Sequence, residues 1–252
     1  MRGFLCFTVA ALLAGAISAS AEETAAPAST FSETETRAIE DIVRDYLLEH
    51  PEILLESMQR LEEKERLAKI EAQRAAIAAN LEALSRDPNS PVLGNPDGDV
   101  TLVEFFDYRC PYCRKVTVDL VDAVEKDGGI RLVFKEFPIL GPESLVAARA
   151  ALAAAAQDRY RDFHLALMTT PGQLDEATIL ALASDLGLDV DRLREDMASE
   201  SVERQIRDNH RLAQALQITG TPAFVIGKEI IPGAVPMQQL LELVRRERAK
   251  TG

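Results

Sequence analysis

Tryptophan is absent from this chain, and aromatic residues make up only 5% of it. So thin an aromatic supply excludes a stacking platform for bases or sugar rings. Positive charge is also short. Lys and Arg number 28 against 41 Asp and Glu, a net charge of −13 that argues against nucleic acid or an anionic membrane as partner. No apolar run beyond Ile17 is long enough to span a bilayer. The three histidines, His50, His164 and His210, are scattered, and there is no Met-rich or His-rich tract. Cysteine is limited to Cys6, Cys110 and Cys113. The last two enclose Pro111 and Tyr112, and this Cys-Pro-Tyr-Cys pair is the most informative feature of the chain.

Residues 1–21 read as a secretory signal peptide. Arg2 supplies the positive start, residues 4–17 form an uncharged apolar run, and Ala19-Ser20-Ala21 is a small-x-small cleavage site before Glu22. The run falls short of the ~20 residues a spanning helix needs, so cleavage is expected rather than anchoring. Cys6 then leaves with the leader. The mature protein is expected to be soluble and exported, which for a bacterial chain means the periplasm, where disulfides form and persist.

Residues 22–32 are rich in Ala, Thr, Ser and Glu and read as a disordered tether. From residue 33 to about 86, helix formers dominate and glycine is missing. Pro51 interrupts this stretch once and biases His50 out of the helical region. The pattern predicts one helix over about 34–49 and a longer one over 51–85, opened by Pro51. Within the second, Leu67, Ile70, Ile77, Leu81 and Leu84 follow steps of three and four, with Arg74 in the missing place. Leu54, Met58 and Leu61 start a similar stripe in another register. Such a stripe packs either on its own domain or on copies of itself. A long helix ahead of a complete domain has little of that domain left to cover it, so 33–86 is expected to be an oligomerisation region.

Residues 87–99 are a linker of turn residues, and the globular domain is expected over 100–252. A β-branched and aromatic strand at 100–106 is followed by a helix at 110–126, with Val116, Leu120, Val121 and Val124 on its apolar face. A second strand runs over 130–137. The pattern is then helical to about 217, with an alanine run at 147–156 suited to close packing. A hairpin at 222–231 and a helix at 235–250 finish the chain. Strand, helix, strand, helical block, hairpin, helix is the order of an α/β thioredoxin fold with an inserted all-helical subdomain, here at about 141–205.

Disulfide exchange needs a thiolate. Cys110 follows a strand and opens a helix, where unpaired backbone N–H groups and the helix dipole favour the anion. Cys113 lies about one turn on, close enough to attack a mixed disulfide. Cys110 is therefore expected to attack and Cys113 to resolve, with Pro111 and Tyr112 as active-site neighbours. A tetrahedral zinc site lacks its second ligand pair, so no metal site is expected. Cu(I) binding by the two thiolates stays open as a side activity. A structural disulfide closing so small a loop would stabilise little. No cofactor is expected. Glu104, Phe106 and Tyr108 share one strand face, which makes Glu104 either a partly buried carboxyl with a raised pKa, suited to relay a proton to or from Cys113, or an edge carboxylate that reaches water. Lys135 and Glu136 interrupt the second strand and are expected to form a buried pair nearby.

The run Glu104-Phe105-Phe106-Asp107-Tyr108-Arg109-Cys110-Pro111-Tyr112-Cys113 resembles the active-site segment of DsbA-like thiol:disulfide oxidoreductases. Thr219-Gly220-Thr221-Pro222-Ala223-Phe224 is similar to their cis-proline loop. The resemblance implies a cis Thr221–Pro222 bond beside the dithiol and a substrate-binding role for both residues. Leu47-Leu48-Glu49-His50-Pro51-Glu52-Ile53-Leu54, the charged helix after it and Phe137-Pro138-Ile139-Leu140-Gly141 resemble the ScsC-like, or suppressor-of-copper-sensitivity, subgroup. That resemblance implies an exported homo-oligomer, with a trimer as the expected number, a membrane-embedded thiol reductase as electron source, and a link to copper tolerance.

Three functions compete on this footing. The first is a disulfide isomerase or reductase acting on misoxidised exported proteins. The second is a monomeric oxidase that donates its disulfide to exported chains. The third is a periplasmic chaperone that holds copper or client proteins.

Overall fold

The computed structural model describes residues 31–251. The expected leader, with Cys6, and residues 22–30 of the expected tether lie outside the described residues. The chain divides into two compact units, Met1–Leu61 and Glu62–Gly252.

Helix α1 (Glu33–Glu49) and the start of α2 (Glu52–Ala79) belong to the first unit. Ser32 caps α1 with a reciprocal capping box. Its backbone N–H donates to the Glu35 carboxylate at 2.8 Å, and Glu35 N–H donates to Ser32 Oγ at 3.4 Å. His50 ends the helix in a non-helical conformation (φ −125°, ψ 60°), as expected for a residue before proline. No residue of α1 is buried. Ile39, Ile42, Val43, Tyr46, Leu48, Leu54, Leu55, Met58 and Leu61 are all exposed.

In the second unit the rest of α2 ends at Ala79, and α3 (Leu81–Ser85) follows. One continuous helix to residue 85 was expected. Asn80 breaks it by turning its side-chain amide back onto the Ala76 carbonyl at 2.8 Å. The expected seam also splits. Ile77 and Leu84 are buried against Val103, Phe105 and Val133, whereas Leu67 and Leu81 are exposed. This end of the stripe therefore covers its own domain.

A five-stranded sheet follows, in the order β1-β3-β2-β4-β5. The strands are β1 (Val92–Gly94), β2 (Val100–Phe106), β3 (Ile130–Glu136), β4 (Ala223–Ile226) and β5 (Glu229–Pro232). Only β2 and β3 are parallel. β1 lies inside the stretch read as a linker. Its three residues gain their strand geometry by pairing with β3, and Pro91 O accepts from Phe134 N–H at 2.9 Å. β2 sits centrally with almost every residue buried, which explains its continuous apolar run.

Between β2 and β3 lies α4 (Pro111–Asp127), and α10 (Met237–Thr251) packs beside it. Between β3 and β4 run α5 (Pro142–Ala155), α6 (Tyr160–Thr169), α7 (Glu176–Asp185), α8 (Val190–Met197) and α9 (Glu200–Ala215). Alanines on α5 let α6, α7, α8 and α9 approach it closely, and eight of its residues are buried. α9 returns to the sheet, where Leu212, Ala213 and Leu216 join the Ile77–Leu84 cluster. Phe105 faces that cluster, while Phe106 faces α4, as strand alternation requires.

Candidate active site

Helix α4 starts where the central strand ends, so its first turn projects from the top of the sheet. Cys110 is the N-cap, in extended conformation (φ −72°, ψ 116°), and Pro111 occupies the first turn without an N–H to leave unpaired. Cys113 N–H points at Cys110 Sγ, 3.5 Å away. On the other side Cys110 Sγ lies 3.2 Å from the Thr221 carbonyl oxygen, to which the thiol form donates. The Thr221–Pro222 bond is cis, and Pro222 is anchored through its carbonyl, which accepts from Gly233 N–H at 2.8 Å. Both thiols are free. Tyr112, between them, is 64% exposed.

The two cysteines are electrostatically unlike. The Cys110 thiol is lowered to about 5, chiefly because the Cys113 thiol donates to it; burial opposes this, and the Thr221 side chain and the Cys113 and Tyr112 backbones add support. Cys113 is pushed far up by burial, by the proton it shares with Cys110, and by nearby Glu104. Glu104 is fully buried, and neither carboxyl oxygen has a hydrogen-bond partner in the protein. Burial, with the Cys110 charge behind it, raises its pKa to about 8. The site thus holds a thiolate, a thiol and a neutral carboxyl at neutral pH.

Asp107 was not singled out from sequence. It is buried, and its carboxylate accepts four hydrogen bonds. Oδ1 takes Arg109 N–H and the Ser144 hydroxyl, each at 2.8 Å, and Oδ2 takes the N–H groups of Ile139 and Leu140 at 2.8 and 2.9 Å. Arg109 Nη1 adds bonds to Leu140 O and Glu143, both at 2.8 Å. The segment at 137–141 is thereby strapped to the residue before Cys110.

Lys135 and Glu136 do not form the expected pair. Neighbours on one strand point to opposite faces. Lys135 Nζ donates to Ala83 O and Ser90 Oγ, both at 2.6 Å, and to Asp87 at 3.2 Å, on the face that carries α3. Glu136 lies on the dithiol face and accepts from Tyr108 and Tyr160. Among the described residues no group of three or more His, Cys, Asp or Glu could hold a metal ion.

A free dithiol at the start of the helix after a central strand, set against a cis-proline loop, defines the thiol:disulfide oxidoreductases of the thioredoxin fold. The chain belongs to the DsbA-like thioredoxin-domain family, whose pattern its residues 101–245 match. Residues 35–68 match a second family, described as the copper resistance protein ScsC N-terminal domain. A thioredoxin-like oxidoreductase from Silicibacter pomeroyi is 48% identical, with a TM-score of 0.65 over 67% of this chain and 97% of that one. ScsC from Proteus mirabilis, in a transitional conformation, is 31% identical, with a TM-score of 0.65 over 88% of this chain and 98% of its own. Disulfide bond formation protein D of Bacillus subtilis is 28% identical over 66% of this chain and 82% of its own. The Na(+)/H(+) antiporter NhaA 1 of Salinispora arenicola is 31% identical over 64% of this chain, but the chain spans only 25% of that protein's length. Among the described residues, no helix is long and apolar enough to cross a membrane.

Proposed function

We propose that this protein is a periplasmic disulfide isomerase and reductase that repairs misoxidised exported proteins, working as a homo-oligomer, a trimer, through Cys110 and Cys113. The observation that carries this reading is the contrast between the two thiols: a Cys110 lowered to about 5 beside a Cys113 held protonated by burial.

Cys110 thiolate attacks one sulfur of a client disulfide, forming a mixed disulfide and releasing a client thiolate. In isomerisation a client thiolate then attacks the mixed disulfide and frees Cys110, with no net electron transfer. In reduction the Cys110 charge is gone once the mixed disulfide has formed; Glu104 then gives its proton to the released client thiolate, takes up the Cys113 proton as a carboxylate, and Cys113 attacks Cys110 Sγ. The client leaves as a dithiol with two electrons, and the Cys110–Cys113 disulfide forms. A membrane-embedded thiol reductase then returns the two electrons. Thr221 and Pro222 supply the backbone edge against which the client strand lies. The leader read at residues 1–21 supports the periplasmic location. The match of residues 35–68 to the ScsC N-terminal domain and the exposed apolar residues of α1 and α2 support the oligomer.

A second reading rests on one of the same observations. A thiolate stable at neutral pH stabilises the reduced state, which makes the disulfide more oxidising and suits a donor of disulfides. Reactivation of a scrambled, fully oxidised test enzyme in mild reductant separates the two. Strong reactivation is expected. No reactivation, with rapid oxidation of a reduced client instead, would replace the isomerase by the oxidase. Tight Cu(I) binding without either activity would favour a copper-holding role.

A further inference from the structure

Four buried polar side chains lie behind the dithiol turn and take no part in exchange as described above. The Tyr108 hydroxyl donates to Glu136 Oε1 at 3.1 Å and lies 3.0 Å from His164 Nδ1. The Tyr160 hydroxyl donates to the same Oε1 at 2.9 Å. Tyr108, Glu136 and His164 are essentially inaccessible to solvent. Phe134 and Phe106 wall the imidazole at ring separations of 4.5 and 5.0 Å.

The protons can be placed by elimination. Tyr108 has one hydroxyl proton for two neighbours. If it goes to Glu136, His164 Nδ1–H donates to the tyrosine oxygen and Nε2, which has no partner, is a bare lone pair. The reverse order would bury an unpaired N–H donor, which costs more. Burial holds His164 neutral, with a pKa lowered to about 3, and pushes the Glu136 carboxyl and both tyrosines well up. The other carboxyl groups that face Glu136 are Asp107 in the turn and Glu104 on β2, and each, when ionised, disfavours its ionisation. Glu136 therefore serves, through Oε1, as the acceptor of two hydroxyls.

Tyr108 stands two residues before Cys110, inside a turn closed by Cys110 N–H to Asp107 O at 3.0 Å. The contacts of Cys110 Sγ, at 3.5 Å to Cys113 N and 3.2 Å to Thr221 O, are long enough to be weakened by a small displacement of that turn. An apolar side chain at position 136 would fill the space but would give the Tyr108 ring no fixed direction.

We propose that Glu136 is a positioning residue of the dithiol site, acting through Tyr108 to set where the turn holds the Cys110 sulfur, with Tyr160 and His164 fixing the carboxyl and the hydroxyl. The inference rests on the reading of Cys110 as the attacking thiol and adds the acceptor that aims it.

The test is the pH dependence of alkylation of Cys110 by iodoacetamide, read on the Cys110 peptide by mass spectrometry. Wild type should show a midpoint near 5. Glu136→Leu should raise the midpoint by about one pH unit, slowing alkylation at pH 5 roughly fivefold. Glu136→Gln should restore most of the wild-type profile, because its carbonyl oxygen accepts both hydroxyls. Tyr108→Phe keeps the ring and should shift the midpoint as Glu136→Leu does; it decides the matter if the leucine variant does not fold. Tyr160→Phe should shift it less. An unmoved midpoint in folded Glu136→Leu or in Tyr108→Phe overturns the proposal. So does a glutamine variant displaced as far as the leucine one, which would make carboxylate charge, not acceptor position, the operative property. A wild-type profile with no thiol titrating below neutral pH would overturn the Cys110 reading and this inference with it. Failure to reactivate scrambled enzyme, with the midpoints as expected, would sink the isomerase alone.

Discussion

Helices α1 and α5 are both built from strong helix formers, yet they use them in opposite ways. α5 has eight buried residues, six of them alanine with a serine and a leucine, and its stability comes from tight contact with four neighbouring helices. α1 has none buried; it carries Ile39, Ile42, Val43, Tyr46 and Leu48 in the open and is held locally by its Ser32 capping box. Small apolar residues are matched to neighbours already present in the chain. Large exposed ones have no cover among the described residues, and the proposed assembly would supply it. The contrast separates a region that completes its own chemistry from one whose apolar face calls for another surface.

The sharpest way to test that separation is Cys110→Ala. Exchange activity with a model disulfide should be lost altogether, while the mass by light scattering stays that of wild type. Substantial residual exchange would remove Cys110 from the attacking role. The converse variant is Leu54→Glu combined with Met58→Glu and Leu61→Glu. It should fall to the mass of one chain and lose scrambled-enzyme reactivation, yet keep the wild-type rate of Cys110 alkylation. An unchanged mass would dismiss these residues as the assembly surface.

The smallest effect lies within the catalytic unit. Glu104 has its pKa raised from 4.5 to about 8 in the folded protein. Below 4.5 it is protonated in both folded and unfolded chains and costs nothing. As pH rises from there toward 8 the unfolded chain ionises first, so this residue's contribution to stability is progressively lost. Glu104→Gln should therefore stabilise the reduced protein at pH 7, by on the order of 2–3 kcal/mol, with the gain growing between pH 5 and 8. It should also slow the resolving step by Cys113. Cys110 titrates in the opposite sense, so the informative quantity is the wild-type-minus-variant difference in urea unfolding. A difference that does not grow with pH would mean that Glu104 is ionised throughout.

What could be read in the sequence followed from local periodicity. The alternation of β2 placed Glu104, Phe106 and Tyr108 together, and Phe106 and Tyr108 indeed meet edge to face at 5.2 Å. The Cys-Pro opening of α4 and the Thr-Pro loop were equally legible. What could not be read depends on partners far away in the chain. β1 is a strand only because β3 lies beside it. Ile77 and Leu84 keep the spacing of a seam, but the sheet face that covers them belongs to residues 103–133. Glu136 finds Tyr108 across 28 positions, and Tyr108 finds His164 across 56. No period encodes such meetings. Adjacent Lys135 and Glu136 invited a pairing that strand geometry forbids.

The central strand carries one more consequence, in the order of events during synthesis. β2 pairs on one side with β3 soon after it, but on the other side only with β4, more than a hundred residues later. Thr221, which touches the Cys110 sulfur, immediately precedes β4's neighbour Pro222. A chain emerging amino end first therefore carries Cys110 without its Thr221 contact through the whole making of α5 to α9. The Thr221 side of the dithiol site is thus supplied by residues made long after both cysteines.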